Sequence, residues 1–100
     1  MEKKYRLKAT KTALKDYENL SREHREKADK IFSILESNPY QNPPPFEKLY
    51  GEIEGMFSRR INRIHRVVYE IHPSDDESYA GIVVIVRAGT HYRGMMSLMF

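Results

Sequence analysis

The sequence predicts an α+β domain in which a small antiparallel sheet carries an N-terminal helical hairpin on one face. Three observations support this: two early segments with helical spacing, a proline-rich interruption, and a second half with strand-like alternation. The predicted order is β-α-α-β-β-β, which leaves the other sheet face available for binding. A chain of 100 residues suits a single domain, 1–100.

The first half of the chain begins with a short predicted strand, Tyr5 to Lys8, in which apolar and polar residues alternate. Thr10 is a suitable cap for a helix that runs to about Leu20, and Ser21 for a second helix that stops at Asn38, before a proline. The tight connection between the two indicates a hairpin. Apolar residues at helical spacing predict the buried stripes: Ala13, Tyr17, Leu20, Ala28, Ile31, Phe32 and Leu35.

Residues 39–45 separate the two halves and include three consecutive prolines, Pro43, Pro44 and Pro45. Proline fixes its own backbone and lacks an N–H group, so this segment is predicted to be an extended strap across the surface. A proline-rich ligand for a recognition domain is the alternative, but a structural crossover is the better interpretation.

The second half changes to strand-like patterns. Met56 to Asn62 alternates, His65 to Ile71 is rich in β-branched and aromatic residues, and Ala80 to Arg87 is almost continuously apolar. Asn62 to His65 is predicted to form a hairpin turn, and His72 to Asp76 to open a longer one.

Composition restricts the function. The net charge is +3, and residues 58–66 hold four arginines and a histidine but no acid, which favours a polyanion bound through phosphates. There are no cysteines, and no two histidines have metal-site spacing, so neither a metal nor another cofactor is expected. No apolar run reaches membrane-spanning length, so we expect a cytoplasmic protein without a membrane partner.

Four short motifs stand in series between Phe46 and Tyr92, within a resemblance that covers about Tyr5 to Tyr92. Together they resemble the motifs of YoeB-type mRNA interferases in the RelE/ParE toxin superfamily, in the same order and at nearly the same spacing. The motifs are Phe46-Glu47-Lys48-Leu49, Gly55-Met56-Phe57-Ser58-Arg59-Arg60-Ile61-Asn62, His65-Arg66-Val67-Val68-Tyr69 and His91-Tyr92.

The resemblance implies the toxin component of a type II toxin–antitoxin system that enters the ribosomal A site and cuts mRNA there. It implies a YefM-like antitoxin as partner and operator DNA bound only through the antitoxin complex. Whether the toxin forms a homodimer stays open from the sequence. The resemblance also implies roles for four residues: Glu47 as general base, His91 as general acid, Arg66 as phosphate support, and Tyr92 as part of the site.

The chemistry of these residue types agrees with that implication. RNA carries its own nucleophile, the 2′-hydroxyl, so cleavage needs a base, cations that stabilise the phosphorane, and an acid for the departing 5′-oxygen. Glutamate is ionised at neutral pH, the arginine fork binds phosphate through two donors, and histidine is a usable acid once phosphate favours its charged form.

Further cations are predicted to bind the RNA backbone: Lys48, Arg59 and Arg60. Arg59 and Arg60 point to opposite faces of a strand, so only one of them shares the face of Arg66. Pairing of Ile61 with Arg66 would select Arg59, and a bulge would select Arg60. Lys48 is a possible replacement for a lysine that relatives carry at the position of Tyr50.

Each site residue also has an ordinary structural interpretation. Glu47 is compatible with an exposed loop carboxylate, Arg66 with a strand ion pair, and His91 and Tyr92 with surface and packing positions. Two alternative functions stay open: a ParE-like toxin that inhibits gyrase, and an inactive co-repressor scaffold, the second suggested only by the extension 93–100 that follows His91-Tyr92.

Overall fold

The computed structural model describes residues 3–50 and 55–90. In these ranges two helices and five strands follow the order β1 (Lys4–Ala9), α1 (Lys11–Glu18), α2 (Arg22–Ser37), β2 (Glu47–Lys48), β3 (Met56–Arg60), β4 (Arg66–His72) and β5 (Tyr79–Thr90). The predicted α+β class and helical hairpin are confirmed. The predicted extension, residues 93–100, lies outside the described residues, and the single domain over 1–100 stays a prediction.

The strands form one sheet in the order β1-β5-β4-β3-β2. The pairs β5–β4, β4–β3 and β3–β2 are antiparallel as expected. Two details differ from the predicted antiparallel sheet: β1 pairs with β5 in parallel, and β2 is an additional strand of two residues. The sheet is therefore mixed: the two helices lead to β2 at the far edge, and the antiparallel strands β2, β3 and β4 then bring β5 beside β1 in the same direction.

Both helices begin where local chemistry predicts. The side chains of Thr10 and Ser21 accept hydrogen bonds from the backbone N–H groups of Ala13 and His24, at 3.0 and 3.2 Å. These bonds satisfy donors that have no partner within the first helical turn. The helix α2 ends at Ser37, immediately before Asn38 and the start of the strap.

The main core lies between the helical hairpin and one face of the sheet. It contains the predicted helical stripes and buried side chains of β4 and β5, among them Val67, Tyr69, Val83 and Ile85. A smaller apolar cluster on the opposite face joins Leu49 and Val68 with Met56 and Val86. No helix in the described part of the chain is long and apolar enough to span a membrane.

Thr10 supports a first prediction, because its hydroxyl serves two elements. It caps α1 and also donates to the backbone carbonyl of Val86 in β5 at 2.9 Å. Thr10→Ala should lower the free energy of unfolding by about 2 kcal/mol, whereas Ser21→Ala, which removes only an exposed cap, should cost about 1 kcal/mol. Chemical denaturation measures both, and an equal loss in the two variants would contradict the bond to β5.

Candidate active site

An acid and an arginine meet on the sheet face that lies away from the helices. Glu47 of β2 is paired with Ser58 of β3, and Arg66 of β4 lies one strand further on. The Arg66 guanidinium donates through Nη1 to the Glu47 carboxylate at Oε2 and to the Ser58 hydroxyl, both at 3.2 Å. Three neighbouring strands therefore each contribute one side chain to the same point.

The environment of the two charged groups differs. The Glu47 side chain is 55% exposed, whereas that of Arg66 is 13% exposed. Ser58 is buried, and its hydroxyl helps to fix the guanidinium. A long contact to an exposed carboxylate is a weak interaction, so a phosphate can compete with Glu47 for Arg66 at little cost. Ser58 was not predicted as a site residue, although its place two residues before Arg60 on one strand puts it on that face.

The register of β3 and β4 decides which of the two adjacent arginines belongs to this site. Arg60 is the Cα partner of Arg66, and no register shift interrupts this pair of strands. Partners in an antiparallel pair project from the same face, so Arg60, which is exposed, lies on the face of Arg66. The turn between β3 and β4 is one residue longer than a turn that would pair Ile61 with Arg66. Arg60 therefore shares the face of Arg66, and this needs no bulge in the strand.

Arg59 corrects the sequence-based assignment. It is 2% exposed and lies on the helix-facing side of the sheet, so it is not placed to contact RNA. Its guanidinium donates to the Tyr69 hydroxyl and to three strap carbonyls, those of Pro39, Gln41 and Pro44, at 2.7–3.0 Å. The basic segment 58–66 is therefore not one continuous cationic surface.

Lys48 also does not join the site. It is exposed, but it pairs with Phe57 in the ladder, and strand alternation directs it to the face opposite Glu47. Its proposed role as a replacement for a phosphate-binding lysine is therefore not supported.

A cleft with a volume of about 140 Å³ adjoins the Glu47–Arg66 pair at the edge of the sheet. The strap contributes Pro44 and Pro45 to its walls, and the lining also includes Phe46 and Glu47. The cleft thus places apolar surface next to a carboxylate and three arginines, of which Arg60 and Arg66 share the face of Glu47 and Arg59 is buried at its inner wall. The aromatic side chain immediately before Glu47 was not singled out as a site residue from the sequence.

His91 and Tyr92, the predicted acid and its neighbour, lie outside the described residues. The strand that leads to them is described up to Thr90, whose Cα partner is Arg66. Among residues 3–50 and 55–90, no group of three or more histidine, aspartate or glutamate side chains is arranged to hold a metal ion.

The raised pKa of Tyr69 suits its role as hydrogen-bond acceptor for Arg59. Burial raises the pKa of its phenol, and the positive charge of Arg59 offsets this only in part. The hydroxyl is therefore neutral at physiological pH and accepts the Nε–H of Arg59 at 3.0 Å.

Comparison with known proteins identifies the class. The family model for the YoeB-like toxin of bacterial type II toxin-antitoxin systems matches residues 9–92. Toxin YoeB of Streptomyces coelicolor is 34% identical over 64 residues, 64% of this chain and 68% of the relative.

Solved structures agree. The YoeB/ParE toxin from Agrobacterium tumefaciens is similar with a TM-score of 0.74 and 26% identity, covering 87% of this chain and 99% of that one. A chain in the heterotetrameric YoeB–YefM complex from Staphylococcus aureus is similar with a TM-score of 0.65 and 25% identity, covering 88% and 98%.

The fold and these comparisons thus identify a small toxin of the RelE superfamily, as the motifs indicated. Within that superfamily, the chain belongs to the YoeB-like toxins of bacterial type II toxin–antitoxin systems.

Tyr69 also supports a prediction about stability. Tyr69→Phe removes the acceptor of a buried, charged donor and should lower the free energy of unfolding by about 2 kcal/mol. Tyr17→Phe is the matched control, because the Tyr17 hydroxyl also makes one side-chain bond, to Asp29 at 2.8 Å, but at the surface. Its loss should cost less than about 1 kcal/mol. Denaturant unfolding of both variants tests this, and similar losses would be incompatible with a buried Arg59–Tyr69 bond.

Proposed function

We propose that this toxin is a ribosome-dependent endoribonuclease that cuts mRNA in the A site by acid–base catalysis without a metal. The observation that carries the proposal is the Glu47–Arg66 contact on the open face of the sheet, with Arg60 beside it. An exposed carboxylate within reach of two arginines combines a proton acceptor with a phosphate site.

In the proposed reaction, the Glu47 carboxylate takes the proton of the ribose 2′-hydroxyl, and the 2′-oxygen attacks the adjacent phosphorus. Arg66 and Arg60 stabilise the charge on the phosphorane oxygens, with Arg66 held by Ser58. The bond from phosphorus to the 5′-oxygen breaks, and the 5′-oxygen receives a proton. The products are a 2′,3′-cyclic phosphate and a free 5′-hydroxyl.

His91 is the proposed proton donor, with Tyr92 as its neighbour in the site. The support is the motif and the path of β5: Thr90 precedes His91 in the sequence and is the strand partner of Arg66. In this proposal Glu47 and Arg66 lie beside the attacking 2′-oxygen, so a proton donor is needed beside the departing 5′-oxygen. A ribosomal target also places the proposed activity in the cytoplasm.

The test is to add the purified protein to ribosomes translating a defined mRNA and to map the new 3′ ends. Glu47→Gln should reduce the cleavage rate by about two to four orders of magnitude while the fold is kept, because an amide cannot accept the proton. Glu70→Gln is the matched control, because Glu70 also lies in the sheet and its carboxylate is bound to His72 at 2.8 Å. This variant should cleave mRNA at the wild-type rate.

Two results would overturn the proposal. One is a folded wild-type protein that makes no A-site cuts, and the other is equal activity in Glu47→Gln and the wild type. A gyrase supercoiling assay accompanies the test, since inhibition there, without RNA cleavage, would identify the ParE-like alternative.

We also propose a YefM-like antitoxin as the partner, with operator DNA bound only through that complex. Support comes from the solved Staphylococcus aureus complex, which contains YoeB and YefM in a heterotetramer. An acidic antitoxin segment would complement the Arg60–Arg66 face. Co-purification with a YefM-like antitoxin protein should abolish mRNA cleavage. If Arg60→Glu leaves the affinity for that protein unchanged, the proposed binding face is wrong. Association of two toxin copies stays a prediction.

A further inference from the structure

We propose that Arg59 is a positioning residue: it fixes the strap, residues 39–45, and through the strap it holds Glu47 opposite Arg66. The proposal rests on the nuclease function proposed above. Arg59 is not a catalytic residue, because it lies on the other face of the sheet, buried at 2% exposure.

The strap has few hydrogen bonds of its own, among them that of the Gln41 side-chain amide to the Pro43 carbonyl at 3.2 Å. Its three consecutive prolines have no N–H groups, so it has more carbonyl acceptors than backbone donors. Arg59 supplies donors from a single side chain: Nη1 to the Pro44 carbonyl at 2.7 Å, and Nη2 to those of Pro39 and Gln41 at 2.9 and 2.8 Å. One guanidinium therefore connects both ends and the middle of the strap.

The Arg59 side chain is itself held in place by contacts with Tyr69 and Phe46. Its Nε–H is bound by the Tyr69 hydroxyl of β4, and its Cζ lies 4.9 Å from the centre of the Phe46 ring. Phe46 also packs edge-on against Phe57 of β3, with ring centres 5.9 Å apart. Phe46 is the residue immediately before Glu47, so the contact with the guanidinium continues to the start of β2.

Glu47 depends on this support because its own strand is very short. The strand β2 consists of Glu47 and Lys48, paired with Ser58 and Phe57, and one further bond joins the Leu49 N–H to the Met56 carbonyl at 2.9 Å. On the other side, Phe46 and the strap determine where Glu47 enters the sheet. Movement of the strap would therefore shift the carboxylate relative to Arg66.

The experiment compares Arg59→Met, Arg59→Lys and a control variant, Val83→Ala. Val83 is fully buried in β5, where it pairs with Leu7 and Ile71, away from the strap. Its truncation lowers stability at a position that is not paired with Glu47, Arg59 or the strap. Each variant is assayed for ribosome-dependent mRNA cleavage, with the rate expressed per folded molecule and with kcat and the KM for ribosomes separated.

Arg59→Met should lower kcat about a hundredfold at unchanged KM, since a displacement of about 1 Å in a reacting group costs about that factor. Arg59→Lys should recover part of the loss, because an ammonium group donates to some of the carbonyls but cannot match the planar fork. Val83→Ala should retain the wild-type kcat per folded molecule. If Arg59→Met does not fold, Arg59→Lys carries the same comparison with Val83→Ala.

A second readout is independent of RNA cleavage. Chymotrypsin cuts after aromatic residues, and the strap region contains Tyr40, which is 51% exposed, and the half-buried Phe46. Cleavage after these residues should accelerate at least tenfold in Arg59→Met, and remain at the wild-type rate in Val83→Ala under conditions where both are folded.

Equal kcat per folded molecule in Arg59→Met and Val83→Ala would overturn the positioning role. So would a strap that resists chymotrypsin equally in both variants. If the wild type itself cuts no mRNA, the nuclease proposal fails on its own, and the chymotrypsin comparison then decides whether Arg59 holds the strap.

Discussion

A buried positive charge without a carboxylate partner organises the region around the site. Among the ion pairs formed by the described residues, none involves Arg59, and its charge is instead surrounded by carbonyl oxygens, a phenol and an aromatic ring. Removing a guanidinium from water is costly unless its donors are satisfied, and here four of its five N–H groups are hydrogen-bonded. The strap is thus ordered by the same contacts that make the burial of Arg59 tolerable.

This arrangement separates two tasks between adjacent residues of one strand. Arg59 points into the protein and orders the chain before Glu47, whereas Arg60 points to the open face beside Arg66. The alternation of a strand makes such a division possible without any further structure. The Ser-Arg-Arg segment therefore contributes a support for Arg66, a structural cation and a surface cation in three consecutive residues.

Local chemistry made much of the fold predictable. Thr10 and Ser21 cap the two helices as expected, and the apolar spacing of Ala28, Ile31 and Leu35 identified the buried stripe of α2. These signals lie within a few residues of the structures they specify. The parallel pairing of β1 with β5 was missed, because it joins segments more than 70 residues apart, as in Leu7 and Val83, and nothing local encodes it.

The candidate site was predictable in its residue types and less so in its geometry. The motifs brought Glu47 and Arg66 together correctly as neighbours, and the structure confirms that they are in contact. The length of the turn between β3 and β4 decides whether Arg59 or Arg60 lies beside Glu47 and Arg66. A shift of one residue in the register would place the other arginine on that face. Lys48 was misjudged for a similar reason: the strand β2 was not anticipated, so its alternation was not applied.

The parallel pairing of β1 with β5 at the edge of the sheet affects how the chain folds during its synthesis. The strand β1 is synthesised first, but its only neighbour in the described sheet is β5, which begins at Tyr79. Chains emerge from the ribosome in sequence, and contacts between distant segments form late. A growing chain must therefore leave β1 unpaired until β5 has been made, so the described sheet is completed only after all four other strands have been synthesised.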